Sequence, residues 1–124
     1  MVNTFDESHY LDLCRWWESH GMPIVPMDHL STHGRVVDNI AAGFLIATDT
    51  PLAILDFFIT NPESSKEDRD KALDELTQTL IKDAKVLGYD VLMASSKISA
   101  VVERAKKNGF KSIGVHESLI LGGD

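Results

Sequence analysis

The sequence predicts an α+β protein with a mixed sheet: an antiparallel meander, then a parallel strand pair, with helices on both faces. Three strand-like runs follow one another closely between residues 35 and 60. A long helical pattern comes next, and strand and helix then alternate. Close spacing favours antiparallel hairpins, whereas a strand reached through a helix favours a parallel pair joined by a crossover.

Length and composition indicate a single soluble domain, residues 1–124. The 44% hydrophobic and 25% charged content is ordinary for a globular protein, and no apolar run approaches the roughly 20 residues of a membrane span. The first residues lack a signal-peptide pattern. The single cysteine, Cys14, excludes an internal disulfide, so we expect a cytoplasmic protein.

The net charge of −7 argues against binding to nucleic-acid backbones. It suits a basic partner, such as an amine, a lysine-bearing peptide or a basic protein face. The same charge also simply aids solubility.

The first helix is predicted to begin at a cap, Asp6 or Ser8, and to run to about Ser19. Gly21 ends it. Its apolar face comprises Tyr10, Leu13, Cys14 and Trp17. Trp16 and Trp17 are adjacent and point to different sides of a helix. One belongs to the core, and the other can line a groove or form a subunit contact, including that of a homodimer.

An extended linker, Met22–Pro26, precedes one short helical turn at Met27–Ser31 and a turn at His33-Gly34. The meander then comprises the strands Arg35–Val37, Ala42–Thr48 and Leu52–Thr60. Asn61-Pro62 stops the third strand, because proline has no N–H to donate and restricts the residue before it.

The long helix follows, with an apolar stripe of Leu73, Leu76, Leu80, Ala84 and Leu87 and with Gly88 at its C-cap. The remaining predicted elements are the strand Tyr89–Ala94, a helix Lys97–Lys107 capped by Ser95 or Ser96, and a closing strand pair, Phe110–Val115 and Ser118–Leu121. The inner face of that last helix would be Ile98, Val101, Val102 and Ala105.

Several short motifs occur in an order found in one known superfamily. They are Trp16–Gly21, Ala41–Leu45, Asn61-Pro62, Ala84–Tyr89, Val91–Ala94 and Lys107–Phe110. In this order and spacing, over nearly the whole chain, the sequence resembles the GNAT N-acetyltransferase superfamily. It is most similar to the short GNAT-like proteins encoded by bacteriophages, which would place it in the host cytoplasm.

The resemblance implies an acetyl-CoA-dependent N-acyltransferase whose acceptor is an amine of a small molecule, or a protein lysine or N-terminus. Acetyl-CoA would lie where the strands Leu52–Thr60 and Tyr89–Ala94 splay apart. Its pantetheine arm would pair with the strand edge at Phe58 and Ile59. Its pyrophosphate would sit on the N-terminus of the following helix, which is an anion site because its N–H groups are free.

Two capping registers mark that helix start: Ser64 with Glu67, and Ser65 with Asp68. The residues proposed to hold the pyrophosphate are Ser64, Ser65, Lys66, Arg69 and Lys71. Capping alone also accounts for the two serines.

Asp56 is the odd residue in the apolar strand and is the candidate catalytic base. Strand alternation places it beside Ile54 and Phe58 and away from Leu55 and Phe57. Partial burial would raise its pKa toward the working range of a base. The alternative is a structural aspartate bonded to the backbone or to a histidine.

His20, His29 and His33 lie close together in the sequence. His29 and His33 have a spacing that binds zinc when a helix stacks both rings. Because Ser31-Thr32 and Gly34 disfavour such a helix, no metal site is predicted. One of these histidines can instead act as a base or line the acceptor pocket, or all of them can lie at the surface.

The sequence departs from the superfamily pattern at two points. The loop and helix start from Glu63 to Ala72 contain no glycine, although the usual phosphate loop is glycine-rich. Ala105 stands four residues before Gly109, where many members have the tyrosine that protonates the leaving thiolate. These departures favour a second hypothesis: a catalytically silent GNAT-fold protein that acts by binding a protein partner.

Overall fold

The computed structural model, which describes residues 1–96, 98–115 and 117–122, contains one five-stranded sheet in the order β1-β2-β3-β4-β5. The strands are β1 (Val2–Thr4), β2 (His33–Val37), β3 (Ala41–Ala47), β4 (Leu52–Thr60) and β5 (Val91–Met93). The helices are α1 (Tyr10–Ser19), α2 (Lys66–Val86) and α3 (Ser99–Lys107). Short 3-10 turns lie at Glu7–His9 and Met27–His29.

The strand directions confirm the predicted fold class. Strands β1 to β4 pair antiparallel, whereas β4 and β5 pair parallel and are connected through α2. Local signals placed several boundaries correctly. Asp6 accepts a hydrogen bond from the Ser8 N–H before α1, and Gly21 and Gly88 follow α1 and α2 with φ of 69° and 89°.

Two apolar clusters lie on the sheet. One contains Leu13, Trp16 and Trp17 of α1 with Val36, Phe44 and Ile59, and the other contains Leu76, Leu80 and Ala84 of α2 with Val37, Leu45 and Leu55. Both tryptophans are buried, with 6% and 1% exposure. The prediction that one of them lines a groove or a subunit contact is therefore wrong. The segment that follows α1 adds Val25 and Leu30 to the cluster that contains the two tryptophans.

The prediction of a turn at His33-Gly34 is also wrong, because both residues belong to β2 and pair with Leu45 and Phe44 of β3. Gly34 is needed for packing: a Cβ atom there would lie 2.4 Å from the Phe44 ring. Strand β1, which the sequence did not reveal, pairs with β2 through residues more than 30 positions away.

The predicted closing strand pair is not formed. Within residues 110–115 and 117–122 no strand occurs, and the side chains of Val115 and Leu121 are fully exposed; His116 lies outside the described residues. An added strand needs a neighbouring edge to bond, and β5 offers only Val91–Met93.

Helix α3 does not bury its predicted inner face. Ile98 and Val101 remain 63% and 40% exposed. The helix is attached through Arg104, which lies 3.0 Å from both Asp70 and Asp74 of α2. Its first turn begins at Ser99, and Lys97 lies outside the described residues.

None of the helices among the described residues has both the length and the apolar character needed to cross a bilayer.

Candidate functional site

Strands β4 and β5 separate soon after they pair. Their register covers only Leu52–Ile54 of β4, opposite Val91–Met93, while β4 continues to Thr60. Residues 55–60 therefore have no β5 partner, and we call this stretch the open edge of β4. It belongs to one of the two strands that the resemblance predicts to splay apart.

The open edge presents backbone groups that β3 does not bond. The Asn61 N–H donates to the Ile40 carbonyl at 2.7 Å, and Thr60 pairs with Ala41 in the next position along β3. Backbone groups of an antiparallel strand alternate in direction. The N–H and C=O of Thr60 therefore point away from β3, toward the side that β5 leaves open.

A β-bulge interrupts β4 within this edge. Asp56 pairs with Phe44 and Ile59 pairs with Ala42, so Phe57 and Phe58 together face only Gly43. Phe57 has φ of 56°, a conformation that costs a non-glycine residue about 1–3 kcal/mol. Backbone strain of this kind is often found near functional sites.

The bulge reverses the expected alternation of side chains. Phe57 packs on the cluster that contains α1, and Phe58 packs on the cluster that contains α2 together with Leu55. The prediction that Asp56 shares a face with Phe58 and points away from Phe57 is therefore wrong. Up to Asp56 the alternation is regular, which places this carboxylate on the α1 side of the sheet.

Asp56 is exposed, and its Oδ1 accepts a hydrogen bond from the Phe57 N–H at 2.7 Å. The partial burial on which its predicted role as a base relied is therefore absent. The carboxylate nevertheless lies on the open edge, next to the strained residue Phe57. This position was unpredictable because the bulge has no signal in the sequence.

The loop that leads from β4 to α2 is organised by Asn61. Its Nδ2 donates to the Asn39 carbonyl at 2.9 Å, and its Oδ1 accepts from the Glu63 N–H at 3.0 Å. The Ser64 N–H donates to the Asn61 carbonyl at 3.1 Å. The sequence indicated Asn61 only as a strand terminator. An asparagine that bonds the backbone two residues ahead is, however, a known turn signal.

Ser65 is the N-cap of α2, because its Oγ accepts the Asp68 N–H at 3.1 Å. Of the two predicted capping registers, the structure uses Ser65 with Asp68. The next residue, Lys66, begins the helix and is exposed. As in any helix, the amides of this first turn have no intrahelical acceptor, and those other than the Asp68 N–H can bind an anion.

The cations predicted to assist at this helix start are separated by the structure. Arg69 Nη1 donates to the Ser64 carbonyl at 2.5 Å and lies 3.4 Å from the Pro62 carbonyl, so this side chain braces the loop. Lys71 lines a cavity of about 340 Å³ together with Asp38, Asp68 and Glu75. Ser64, Ser65 and Arg69 are thus brought together, Lys66 is the first residue of the helix, and Lys71 lies in its second turn.

A larger cavity, of about 590 Å³, lies beside β5 and contains no residue of β4. Ile81, Tyr89, Met93 and Phe110 contribute to its wall. It is therefore separate from the open edge of β4, and no motif in the sequence indicated it.

The three clustered histidines occupy different environments. His20 Nε2 lies 3.0 Å from the Thr60 carbonyl oxygen, and His33 Nε2 lies 2.9 Å from Asp83 Oδ2. His29 ends the 3-10 turn Met27–His29, so no helix stacks it on His33. Within the described part of the chain, no three histidine, cysteine or acidic side chains are grouped as metal ligands.

No protein-family model and no curated protein sequence matches the chain. Solved structures do match it. An acetyltransferase from Trypanosoma brucei has a TM-score of 0.70 at 14% identity, covering 98% of this chain and 99% of that one. This chain has the acetyltransferase fold.

Two further acetyltransferase structures are similar to this chain. The N-acetyltransferase from Staphylococcus aureus Mu50 has a TM-score of 0.72 at 14% identity, covering 92% of this chain and 84% of its own. The ribosomal-protein-S18-alanine N-acetyltransferase from Escherichia coli has a TM-score of 0.72 at 13% identity, covering 92% and 79%. These matches from cellular organisms give no support to the bacteriophage resemblance.

Proposed function

We propose that the protein is an acetyl-CoA-dependent N-acyltransferase that acts on an amine of a small molecule, or on a protein lysine or N-terminus. The observation that carries this proposal is the early separation of β4 from β5. It leaves an open strand edge that leads directly to the start of α2. An extended amide chain can pair with such an edge, and a pyrophosphate can bind the adjoining helix start.

The pantetheine arm is assigned to backbone groups of the open edge. Phe58 has no partner on β3, whereas Ile59 is paired with Ala42. We therefore assign the contacts to Phe58 and Thr60, and we give Ile59 only a packing role. The pyrophosphate is assigned to the first amides of α2, with Ser64, Ser65 and Lys66 around them.

In the proposed reaction, the amine nitrogen attacks the thioester carbonyl carbon. A C–N bond forms, the C–S bond breaks and coenzyme A leaves as a thiolate. Asp56 is assigned to take the proton that the attacking nitrogen loses, and solvent supplies a proton to the thiolate because Ala105 cannot. Holding both reactants on the sheet edge supplies most of the rate in such a direct transfer.

A second candidate is a protein of the same fold that binds a protein partner without turnover. The observation that favours it is the internal use of Arg69, whose guanidinium is bonded to loop carbonyls. The glycine-free helix start also limits how closely the backbone can wrap a phosphate.

Calorimetric titration of the full chain with acetyl-CoA separates the two candidates. We expect a dissociation constant of tens to hundreds of micromolar, which corresponds to roughly −5 to −6 kcal/mol. Mass spectrometry of spermidine, a lysine peptide and a peptide N-terminus incubated with enzyme and acetyl-CoA then tests transfer. Absence of binding at millimolar acetyl-CoA would exclude the enzyme and leave the binding protein.

A substitution of Asp56 tests its assigned role as the proton acceptor. In Asp56→Asn the side-chain oxygen can still accept the Phe57 N–H, but it cannot take a proton. We expect turnover to fall roughly 100-fold with acetyl-CoA affinity unchanged. An unchanged turnover number would remove Asp56 from the chemistry.

A further inference from the structure

The open edge of β4 already carries a hydrogen bond from a side chain of the same protein. His20 Nε2 lies 3.0 Å from the carbonyl oxygen of Thr60, the residue whose backbone groups point away from β3. A carbonyl oxygen can only accept, so this nitrogen must carry the hydrogen. An imidazole N–H therefore already donates to the carbonyl oxygen that an amide N–H of an extended ligand would bond.

The His20 ring can leave this position without disturbing α1. Its backbone N–H is bonded to the Trp16 carbonyl at 3.0 Å, and the Gly21 N–H is bonded to the Glu18 carbonyl at 3.0 Å. The side chain itself is exposed. Rotation of the side chain would expose the Thr60 carbonyl while the end of α1 stays in place.

We infer that His20 competes with the pantetheine arm for the Thr60 carbonyl and must move away before an amide-bearing ligand can pair with β4. The contact also protects an unpaired strand edge from other chains. This inference rests on the proposed function, because it concerns the same edge. It predicts that the wild-type protein binds acetyl-CoA more weakly than a variant whose Thr60 carbonyl is free.

The test is a calorimetric titration of acetyl-CoA into the wild-type protein and three variants. His20→Ala frees the carbonyl and should bind roughly three- to tenfold more tightly, the effect of one net hydrogen bond. His20→Gln retains an N–H donor and should bind much as the wild type does. His29→Ala removes another exposed histidine, which ends the 3-10 turn Met27–His29, and serves as the matched control.

The outcomes distinguish this inference from the proposed function. If the wild type binds and His20→Ala binds equally or more weakly, the inference is overturned and the proposed function stands. If His20→Ala binds and the wild type does not, the competition at the Thr60 carbonyl is supported, while the wild type fails the test of the proposed function. If neither binds at millimolar acetyl-CoA, both are overturned. Circular dichroism melting verifies the fold of each variant, and His20→Ser replaces His20→Ala if the latter melts early.

Discussion

Arg35 of β2 donates two hydrogen bonds to Asp83 of α2, from Nε at 2.8 Å and from Nη2 at 3.0 Å. His33 Nε2 approaches the same carboxylate at 2.9 Å, and the Asp83 side chain is only 15% exposed. Burial raises the pKa of Asp83, but the bonds from Arg35 and His33 outweigh this effect and lower the pKa below its ordinary value. Asp83 in turn raises the pKa of Arg35. This ion pair ties α2 to β2.

Replacing this carboxylate should destabilise the protein. Asp83→Asn keeps the shape but removes the charge, so the free energy of unfolding should fall by about 1.5–3 kcal/mol. Urea denaturation monitored by circular dichroism measures the change. Asp49→Asn, in an exposed turn, is the control and should stay within about 0.5 kcal/mol of wild type. Equal losses in the two variants would mean that the ion pair contributes nothing.

The same pair should make stability depend on pH in the acid range. The folded-state pKa of Asp83 is lowered, so the folded protein binds fewer protons than the unfolded chain. The stabilisation by the ion pair is therefore complete above the pKa of Asp83 in the unfolded chain, about 3.9. It is lost as the pH falls through the lower pKa of Asp83 in the folded protein. Urea titrations of wild type and Asp83→Asn should differ at neutral pH and converge at strongly acid pH. A constant difference would argue against this linkage.

Gly34→Ala should be more destabilising than Gly43→Ala. A Cβ at Gly34 would lie 2.4 Å from the Phe44 ring and 2.9 Å from the Phe5 Cβ, all within the buried cluster on the α1 side. At Gly43 it would lie 3.0 Å from the ring of Phe58, which is only half-buried and can shift. We expect Gly34→Ala to cost about 1–3 kcal/mol. Thermal melts that rank the two variants in the opposite order would contradict this packing argument.

Lys66 and Lys71 should differ in their effect on acetyl-CoA binding. Lys66 begins α2, whereas Lys71 lines the cavity shared with Asp38 and Glu75. Lys66→Ala should weaken binding roughly two- to fivefold, as expected for one exposed charge near a helix start. Lys71→Ala should leave the dissociation constant unchanged. If only Lys71→Ala weakens acetyl-CoA binding, the anion site lies in that cavity and not at the start of α2.

Removing an acid from the same helix turn should have the opposite effect. Glu67 is exposed in the first turn of α2, where its charge repels a pyrophosphate. We expect Glu67→Ala to tighten acetyl-CoA binding by a similar small factor, and the gain should shrink as salt is added. Glu75→Ala, two turns further along the helix, is the control. Weaker binding by Glu67→Ala would show that this end of α2 does not hold the phosphates.

Local signals in the sequence were sufficient for much of the fold. Strand β4 has the predicted bounds because Pro51 and Asn61-Pro62 close an apolar run on both sides. Gly88 follows α2 with positive φ because few other residues tolerate that conformation. The fold class followed from the order of these elements. The start of α2 was also located, since Ser65 was one of the two predicted caps.

The tertiary structure decided where the candidate site residues lie and what they contact. The bulge at Phe57 places the Phe58 ring beside Gly43 of the neighbouring strand, and the pairing of His20 with Thr60 joins residues 40 positions apart. Arg69 was predicted to bind phosphate, and in the fold its Nη1 atom bonds loop carbonyls. Periodicity and capping act within a few residues of the chain, so they determine helices and strands. Which side chain meets which free backbone group depends on contacts that exist only after those elements have packed.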